Sequence, residues 1–481
     1  MPKYHLIKRL NSVHFIGIGG IGISALARWF LTQKWAISGS DIAPSDLLQE
    51  LKKLGVKVKI GHKKAYLSPK TALVIYNQAI PANNPELLAA KKLGIPVLSY
   101  PQALGRLSRK YKTIAIAGAH GKSTVTALAS LVLTRAGFDP TVIIGTKLKE
   151  FGGTNFRNGK GDWLIIEADE FHESFLNYSP LVAVITNIDK EHLDYYKNFA
   201  NVKKAFLKFI GNVKTGGTAI LNKDDKNLYN LKRQITKIAE NKKLNLFWYS
   251  LKNPASHRIK KVLKIPGKHN LSNAMAVHML SRSLGIKEKT ILKAFRSYRG
   301  AWRRMEYKGK FKIQNSKFKI LVYDDYAHHP TEIKATLSAF KEKYPKSKII
   351  CVFQPHQAER LRLLFKDFVK AFNDADYLIL LPIYRVAGRD KVYKQFTPLE
   401  ISRSKRLPPS RQRRESGSLT GFTSQKLAEA IAKKRKNVFY LPSPKNLKQV
   451  LNQLPITNYK LPTVIVMMGA GDIVNYTKLL L

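Results

Sequence analysis

An α/β architecture of three domains, each built on a largely parallel sheet, is the fold this sequence predicts, and three observations predict it. Two stretches pass from a short apolar run through a glycine-rich turn into a helix-compatible run: residues 13–22 followed by 23–31, and 113–121 followed by 125–134. Strand, glycine loop and helix in that order is how doubly wound sheets begin, with the loop at the edge where ligands bind. Later apolar runs end in carboxylate, histidine or glycine residues, as parallel strands do when they deliver polar groups to one edge. The length, 481 residues, corresponds to about three domains that can each bury a core.

In chain order, a strand at 13–16 leads into Gly17-Ile18-Gly19-Gly20-Ile21-Gly22. The spacing G-x-G-x-x-G lets a phosphate approach the backbone at a helix N-terminus. A second strand at 36–39 ends in Ser40 and Asp41. Asp41 stands about 20 residues past the glycines, where a ribose-binding carboxylate is expected. Close packing of helix on strand also selects glycine, so the loop points to a nucleotide without naming it. Further strands are expected at 72–76 and 97–99, and residues 108–112 read as a short linker.

The second loop is Ala117-Gly118-Ala119-His120-Gly121-Lys122-Ser123-Thr124. Gly118, His120 and Gly121 shape a turn whose N–H groups face a phosphate. Lys122 reaches the β/γ-phosphates as a point charge, and Ser123 or Thr124 can hold Mg²⁺. Ile116 stands where the first glycine of G-x-x-x-x-G-K-[ST] belongs, and a chance turn is the competing reading. An apolar run at 163–166 ends in Glu167, and another at 181–186 is followed by His192. Two parallel strands would bring Glu167 and His192 to the edge that carries Lys122 and Ser123. A carboxylate, a hydroxyl and an imidazole around an ATP phosphate can hold Mg²⁺; alone, His192 would read as a surface histidine. Further on, Asn270 and Asn273 share one helix face, although an N-cap and a solvated amide would look the same.

Three more apolar runs, 320–323, 349–353 and 464–468, end at Asp324-Asp325-Tyr326-Ala327-His328-His329, Gln354-Pro355-His356 and Gly469-Ala470-Gly471. Neighbouring residues point apart, so at most one of His328 and His329 faces a reaction centre; the other suits the start of the helix at 331–343. Residues 399–424 break the pattern, with clustered arginines around Pro408-Pro409, and read as an exposed basic insertion centred on 402–417. The balance of 84 basic and 32 acidic residues gives +52, a field that attracts nucleic acid, anionic lipid or anionic substrates. The lysines are spread along the chain, which favours a solvated surface over a specific nucleic-acid site. Cys351 is the single cysteine and suits buried packing. No run approaches the roughly 18 apolar residues of a membrane span, and residues 1–10 lack the apolar stretch of a signal peptide, so a cytoplasmic protein is expected.

Taken together, G-x-G-G-x-G, G-A-H-G-K-S-T, E-A-D-E, T-N-I-x-x-x-H-x-D, H-N-x-x-N and D-D-Y-A-H-H-P, in this order, resemble the Mur ligases, ATP-dependent amino-acid ligases of peptidoglycan synthesis. The resemblance implies a Rossmann-like UDP-sugar domain at 1–108, a central P-loop ATPase-type domain at 109–298 and a Rossmann-like amino-acid domain at 299–481. Gly17, Gly19, Gly20, Gly22 and Asp41 then serve the UDP-sugar. Lys122 corresponds to the ATP-phosphate lysine, and Ser123, Glu167 and His192 to the Mg²⁺ site. Asn270 and Asn273 resemble the adenine-side asparagines, and Arg303 or Arg304 the arginine that reaches ATP. Asp325 would face the nucleotide, with Tyr326, His328, His356 and Arg360 around the amino acid and the reaction centre. Gln357 departs from the usual Q-P-H-R or Q-P-H-T and removes one charge from the carboxylate site.

The branch most similar adds L-alanine to UDP-N-acetylmuramate, through an acyl phosphate made from ATP with Mg²⁺. A monomer or homodimer is expected. A ligase that returns murein tripeptide to the same UDP-sugar shares most of these motifs. From a different class, the charge would suit a basic RNA-binding NTPase.

Overall fold

The structure, a computed structural model, describes residues 11–312, 319–385, 422–454 and 462–481. It contains three parallel-rich sheets in two compact units, divided between Trp302 and Arg303, with Pro266–Lys268 grouped with the second. The basic segment 402–417 lies outside the described residues. Among those described, no helix is long and apolar enough to cross a membrane.

The first unit holds two sheets. In the first, β1 (Ser12–Ile16), β2 (Ala36–Asp41), β3 (Lys57–Ile60), β4 (Leu73–Tyr76) and β5 (Val97–Ser99) run parallel in the order β3-β2-β1-β4-β5. The order reverses at β1, so the first glycine loop opens at a topological switch point. The helix Ile21–Thr32 follows and buries Ile23, Leu26 and Phe30. Residues 108–112 are not all linker, because the helix Tyr100–Ser108 takes up the first of them. Its start is a capping box: Ser99 Oγ accepts from the Gln102 N–H, and Gln102 Oε1 from the Ser99 N–H.

The second sheet contains β6 (Lys112–Ala117), β7 (Thr141–Leu148), β8 (Thr154–Arg157), β9 (Trp163–Ala168), β10 (Val182–Ile185), β11 (Thr218–Asn222) and β12 (Asn245–Tyr249). Its order is β12-β11-β10-β6-β9-β7-β8, and β8 alone runs antiparallel to its neighbour. Residues 113–117 of β6 are buried throughout, as a strand covered on both faces must be. Ile114 and Ile116, fully buried there, each stabilise the fold by about 1.5–3 kcal/mol. β6 lies between β9 and β10, with Ile116 level with Glu167 and Ala117 level with Ile185. The second loop is therefore flanked by β9, which carries Glu167, and by β10, which leads into residues 186–192. The helix after it is Lys122–Arg135 and starts earlier than the apolar pattern indicates. Gly121, at φ 87°, makes the turn from which the Val125 N–H can reach its carbonyl. Side chains tie the two sheets together: Asn155 Nδ2 donates to Ser24 Oγ at 2.9 Å, and Glu50 bridges Arg28 and Lys147 at 2.7 and 2.6 Å.

The second unit holds β13 (Glu306–Lys312), β14 (Lys319–Asp325), β15 (Lys348–Phe353), β16 (Tyr377–Leu380), β17 (Val438–Tyr440) and β18 (Thr463–Met468), in the order β13-β14-β18-β15-β16-β17. Among the described strands of this sheet, only β13 is antiparallel. β14, β18 and β15 are adjacent and parallel, so Asp325, Gly469 and Gln354 emerge at one edge. Cys351 is buried within β15.

Candidate active site

The loop after β6 is shaped by backbone that side chains resist. Gly118 has φ 132°, and a Cβ there would lie 2.1 Å from Thr186 Oγ1. A Cβ on Gly121 would lie 2.4 Å from Asn273 Oδ1. The loop is held from β10's side: Asn187 Oδ1 accepts from the His120 N–H at 2.9 Å, Thr186 Oγ1 donates to the His120 carbonyl at 2.6 Å, and His120 Nε2 lies 2.9 Å from Asp189.

Lys122 turns back over its own loop. Its Nζ donates to the Gly118 carbonyl at 2.7 Å and to Glu170 Oε2 at 2.7 Å. Burial alone would lower the ammonium's pKa, but the charges of Glu170 and Asp169 outweigh it and hold Lys122 protonated. Glu170 is pushed up by its own burial and pulled down by Lys122. Its Oε1 is buried with no hydrogen-bond partner among the described residues. Ser123 Oγ donates to Glu167 Oε2 at 3.2 Å, and Glu167 Oε1 accepts from the Gly145 N–H at 2.7 Å. Ser123 and Thr124 are buried in the helix's first turn.

The structure groups His192 with Asp169 and Glu170, their ligand atoms within 4.8 Å of one another, and pairs Glu167 with Ser123. Oxygen donors from a hydroxyl and carboxylates, one of them carrying an orphaned buried oxygen, fit a hard cation such as Mg²⁺ beside a phosphate. His192 and the consecutive pair His172 and Glu173 all have left-handed backbone, at φ 55°, 50° and 55°. Phe171 stacks on His172 at 4.0 Å and tilts against His192 at 4.8 Å. Strain of this kind gathers at ligand sites. Asn270 and Asn273 are each 6% exposed inside the helix Lys268–Ser283, which removes the solvated-amide reading. Glu170, Asn187 and Asp189 went unassigned in the sequence. The available signal was their place in E-A-D-E and T-N-I-D, directly after strands.

The loop after β1 is arranged differently. Gly17 and Ile18 donate their N–H groups to the Ser40 carbonyl at 2.8 and 3.0 Å. Asp41 Oδ2 accepts from the Gly19 N–H at 2.8 Å. Gly20 is the N-cap of the helix, and Gly22 sits in its first turn against Tyr100. Behind Ser40 lies Glu86, fully buried, accepting from Ser40 Oγ at 2.8 Å and facing His14 and His62 at 2.7 Å each. Nothing in the local sequence marks Glu86, which comes from the helix Pro85–Lys92.

In the second unit Asp325 is buried and accepts from the N–H groups of Met305 and Ala327 at 2.8 and 2.9 Å. Arg303 is 4% exposed, at φ 55°, and donates to the Gly469 carbonyl. Half-buried Arg304 lies over the Tyr326 ring, 5.0 Å from its centre. His329 is the N-cap of the helix Pro330–Lys343, taking the Thr331 N–H at 3.3 Å. His328 instead turns towards His356, with ring centres 5.8 Å apart. The His356 ring stacks on Tyr384 at 5.5 Å, and Arg360 Nη1 donates to the His356 carbonyl at 3.1 Å. Gln357 is held at φ 69°.

Comparison with known proteins agrees over nearly the whole chain. Three family models match: Mur ligase family, catalytic domain, at residues 12–112; Mur ligase middle domain, at 116–281; and Mur ligase, glutamate ligase domain, at 303–471. The chain is 40% identical to a UDP-N-acetylmuramate–L-alanine ligase of Aquifex aeolicus, over 81% of this chain and 87% of that protein. A protein of the same name from a Sulfurihydrogenibium species is 36% identical, over 98% and 97%. The crystal structure of UDP-N-acetylmuramate-alanine ligase from Thermotoga maritima superposes with a TM-score of 0.73 at 25% identity, covering 98% of both chains. A murein peptide ligase from Psychrobacter arcticus shares the fold, with a TM-score of 0.65 at 20% identity and 98% coverage of both. Lysine-bearing phosphate loop, flanking carboxylates and three matched domains in sequence lead to one assignment: the chain belongs to the Mur ligase family.

Proposed function

We propose that this protein is a cytoplasmic, ATP-dependent ligase that joins L-alanine to the lactoyl carboxylate of UDP-N-acetylmuramate, giving ADP and phosphate, in peptidoglycan precursor synthesis. The observation that carries the reading is Lys122, charged and half-buried between the Gly118 carbonyl and Glu170, in a chain similar end to end to alanine ligases.

A carboxylate does not acylate an amine in water, so it must first take a phosphoryl group. Lys122 supplies positive charge to the transferring phosphoryl oxygens, leaving Glu170 as it does so. Gly118, His120, Gly121 and Thr124 offer loop N–H groups to the phosphates, and Asn270 and Asn273 serve the adenine side. Ser123, Glu167 and His192, with Asp169 and Glu170 beside it, would hold Mg²⁺, which when bound neutralises phosphate charge. Gly17, Gly19, Gly20, Gly22 and Asp41 hold the UDP-sugar. In the second unit, Arg304 is the arginine available to the nucleotide, since Arg303 is engaged by Gly469; Asp325 holds the turns beside it. His328 and His356 attend the amine, and Arg360 takes the α-carboxylate of alanine, an arginine fork being suited to a carboxylate.

The test is phosphate release with UDP-N-acetylmuramate and a panel of amino acids. L-alanine is expected to be preferred, with glycine and L-serine slower, because one methylene is worth only about 1–3 kcal/mol. Preference for a murein tripeptide over every free amino acid would overturn the reading, as would salt-sensitive RNA binding without UDP-sugar-stimulated ATP turnover.

A further inference from the structure

Tyr100 opens the helix that follows β5, at the ligand edge of the first sheet. A Cβ on Gly22 would lie 2.8 Å from the Tyr100 hydroxyl oxygen, so the phenol rests on the first turn of the helix whose N-terminus is the β1 glycine loop. Burial first, and then the nearby charges of Glu167 and Asp169, push the phenol well above its ordinary value. It therefore stays a neutral donor against the glycine-loop helix, within the electrostatic field of the phosphate-site carboxylates. The ring packs against the core, is half-buried, and its hydroxyl makes no hydrogen bond to another described residue. A phenol held against Gly22 with its donor unspent, at the N-terminus of a helix that opens on a glycine loop, suits an anion seated there.

The anion that has to pass from one loop to the other is the carboxylate to be phosphorylated. It belongs to a molecule held at the N-terminus of Ile21–Thr32 and takes its phosphoryl group at the N-terminus of Lys122–Arg135. We propose that Tyr100 is a substrate-binding residue whose hydroxyl donates to the carboxylate of the sugar nucleotide; this rests on the function proposed above.

The experiment is calorimetric titration of wild type and Tyr100→Phe with UDP-N-acetylmuramate and with UDP, which lacks the carboxylate, together with the KM for ATP. Tyr100→Phe keeps the ring against Gly22, and an unchanged melting temperature verifies the fold. The expected result is about tenfold to hundredfold weaker binding of UDP-N-acetylmuramate, with unchanged affinity for UDP and unchanged KM for ATP. Equal losses for both ligands would make Tyr100 a packing residue of the glycine loop and overturn the proposal, as would no loss at all. Wild-type protein that binds UDP-N-acetylmuramate no better than UDP would instead overturn the proposed function.

Discussion

The loops after β1 and after β6 follow the same plan, strand, glycine turn and helix at a switch point, and differ in the charged side chains set around them. In the first, the protein's own carboxylate, Asp41, already sits on a loop N–H at 2.8 Å, and the carbonyl of Ser40 takes two more. Residues 17–22 of this loop include no basic side chain. In the second, Lys122 occupies the centre and is surrounded by Glu170, Asp169 and Glu167. Glycine backbone provides a seat for an anion in both cases. Which anion it takes is decided by side chains one residue beyond the loop or on neighbouring strands. A seat already shared with a carboxylate suits hydroxyl-bearing parts of a nucleotide. A seat with a lysine and several carboxylates suits phosphates accompanied by a cation.

The largest expected effect separates the chemistry of the second loop from its stability. Lys122→Ala should lower ligation at least about hundredfold, the scale of losing a charge that acts on the transition state. It also leaves Glu170 buried without its cation, which costs about 3–5 kcal/mol when one partner of a buried pair is removed. Adding Glu170→Gln should restore the melting temperature without restoring turnover. Recovery of turnover in the double variant would show that Lys122 serves only the fold.

Backbone demand should differ between the loops as well. Gly118→Ala combines φ 132° with a Cβ 2.1 Å from Thr186 Oγ1 and 3.1 Å from two backbone nitrogens. A loss of about 2–4 kcal/mol is expected from strain and overlap. At Gly20 the Cβ meets the end of the Asn77 side chain at 2.5 Å, which can swing away, so Gly20→Ala should lose less than about 1 kcal/mol. Equal urea midpoints for the two variants would erase the contrast.

Asp41→Asn should raise the KM for UDP-N-acetylmuramate by about tenfold, as for a lost hydrogen bond to a charged group, and leave the KM for ATP alone. A matching rise in both would mean the loops are not separate sites. The smallest effect concerns acid. Despite burial, which raises it, Glu86 is held below its ordinary 4.5 by His14, Ser40 and His62. A depressed folded value adds stability above pH 4.5 that is lost as the pH falls through the lowered value. The stability difference between wild type and Glu86→Gln should therefore shrink on acidification below pH 4.5. A difference that grows in acid would reverse the sign.

Much of this was legible in the residues because it is local. Glycine spacing, apolar runs and the polar residues that follow them gave both loops, β1, β6, β9, β10, β14, β15 and β18, and the positions of Lys122, Ser123 and Glu167. The strands β3, β7, β8, β11, β12, β13, β16 and β17 were missed; some of them are short or mostly polar, as in Glu306–Lys312. At Asp324-Asp325-Tyr326-Ala327-His328-His329 the sequence could say only that the two histidines point apart. The helix start decides between them, since an N-cap needs an acceptor and His329 supplies it.

By itself the sequence determined that this is an α/β protein with two strand–loop–helix nucleotide motifs and the ordered motifs of a Mur ligase, because each depends on residues within about one supersecondary unit. Only the tertiary structure decided that Lys122 pairs with Glu170, that His192 joins Asp169 and Glu170 while Glu167 takes Ser123, that Glu86 stands behind the first loop, and that the Tyr100 hydroxyl rests against Gly22. Those contacts join residues dozens of positions apart, through crossovers that set β9 and β10 on either side of β6. The order of strands in a sheet is settled by packing of whole layers, which no local pattern of residues records.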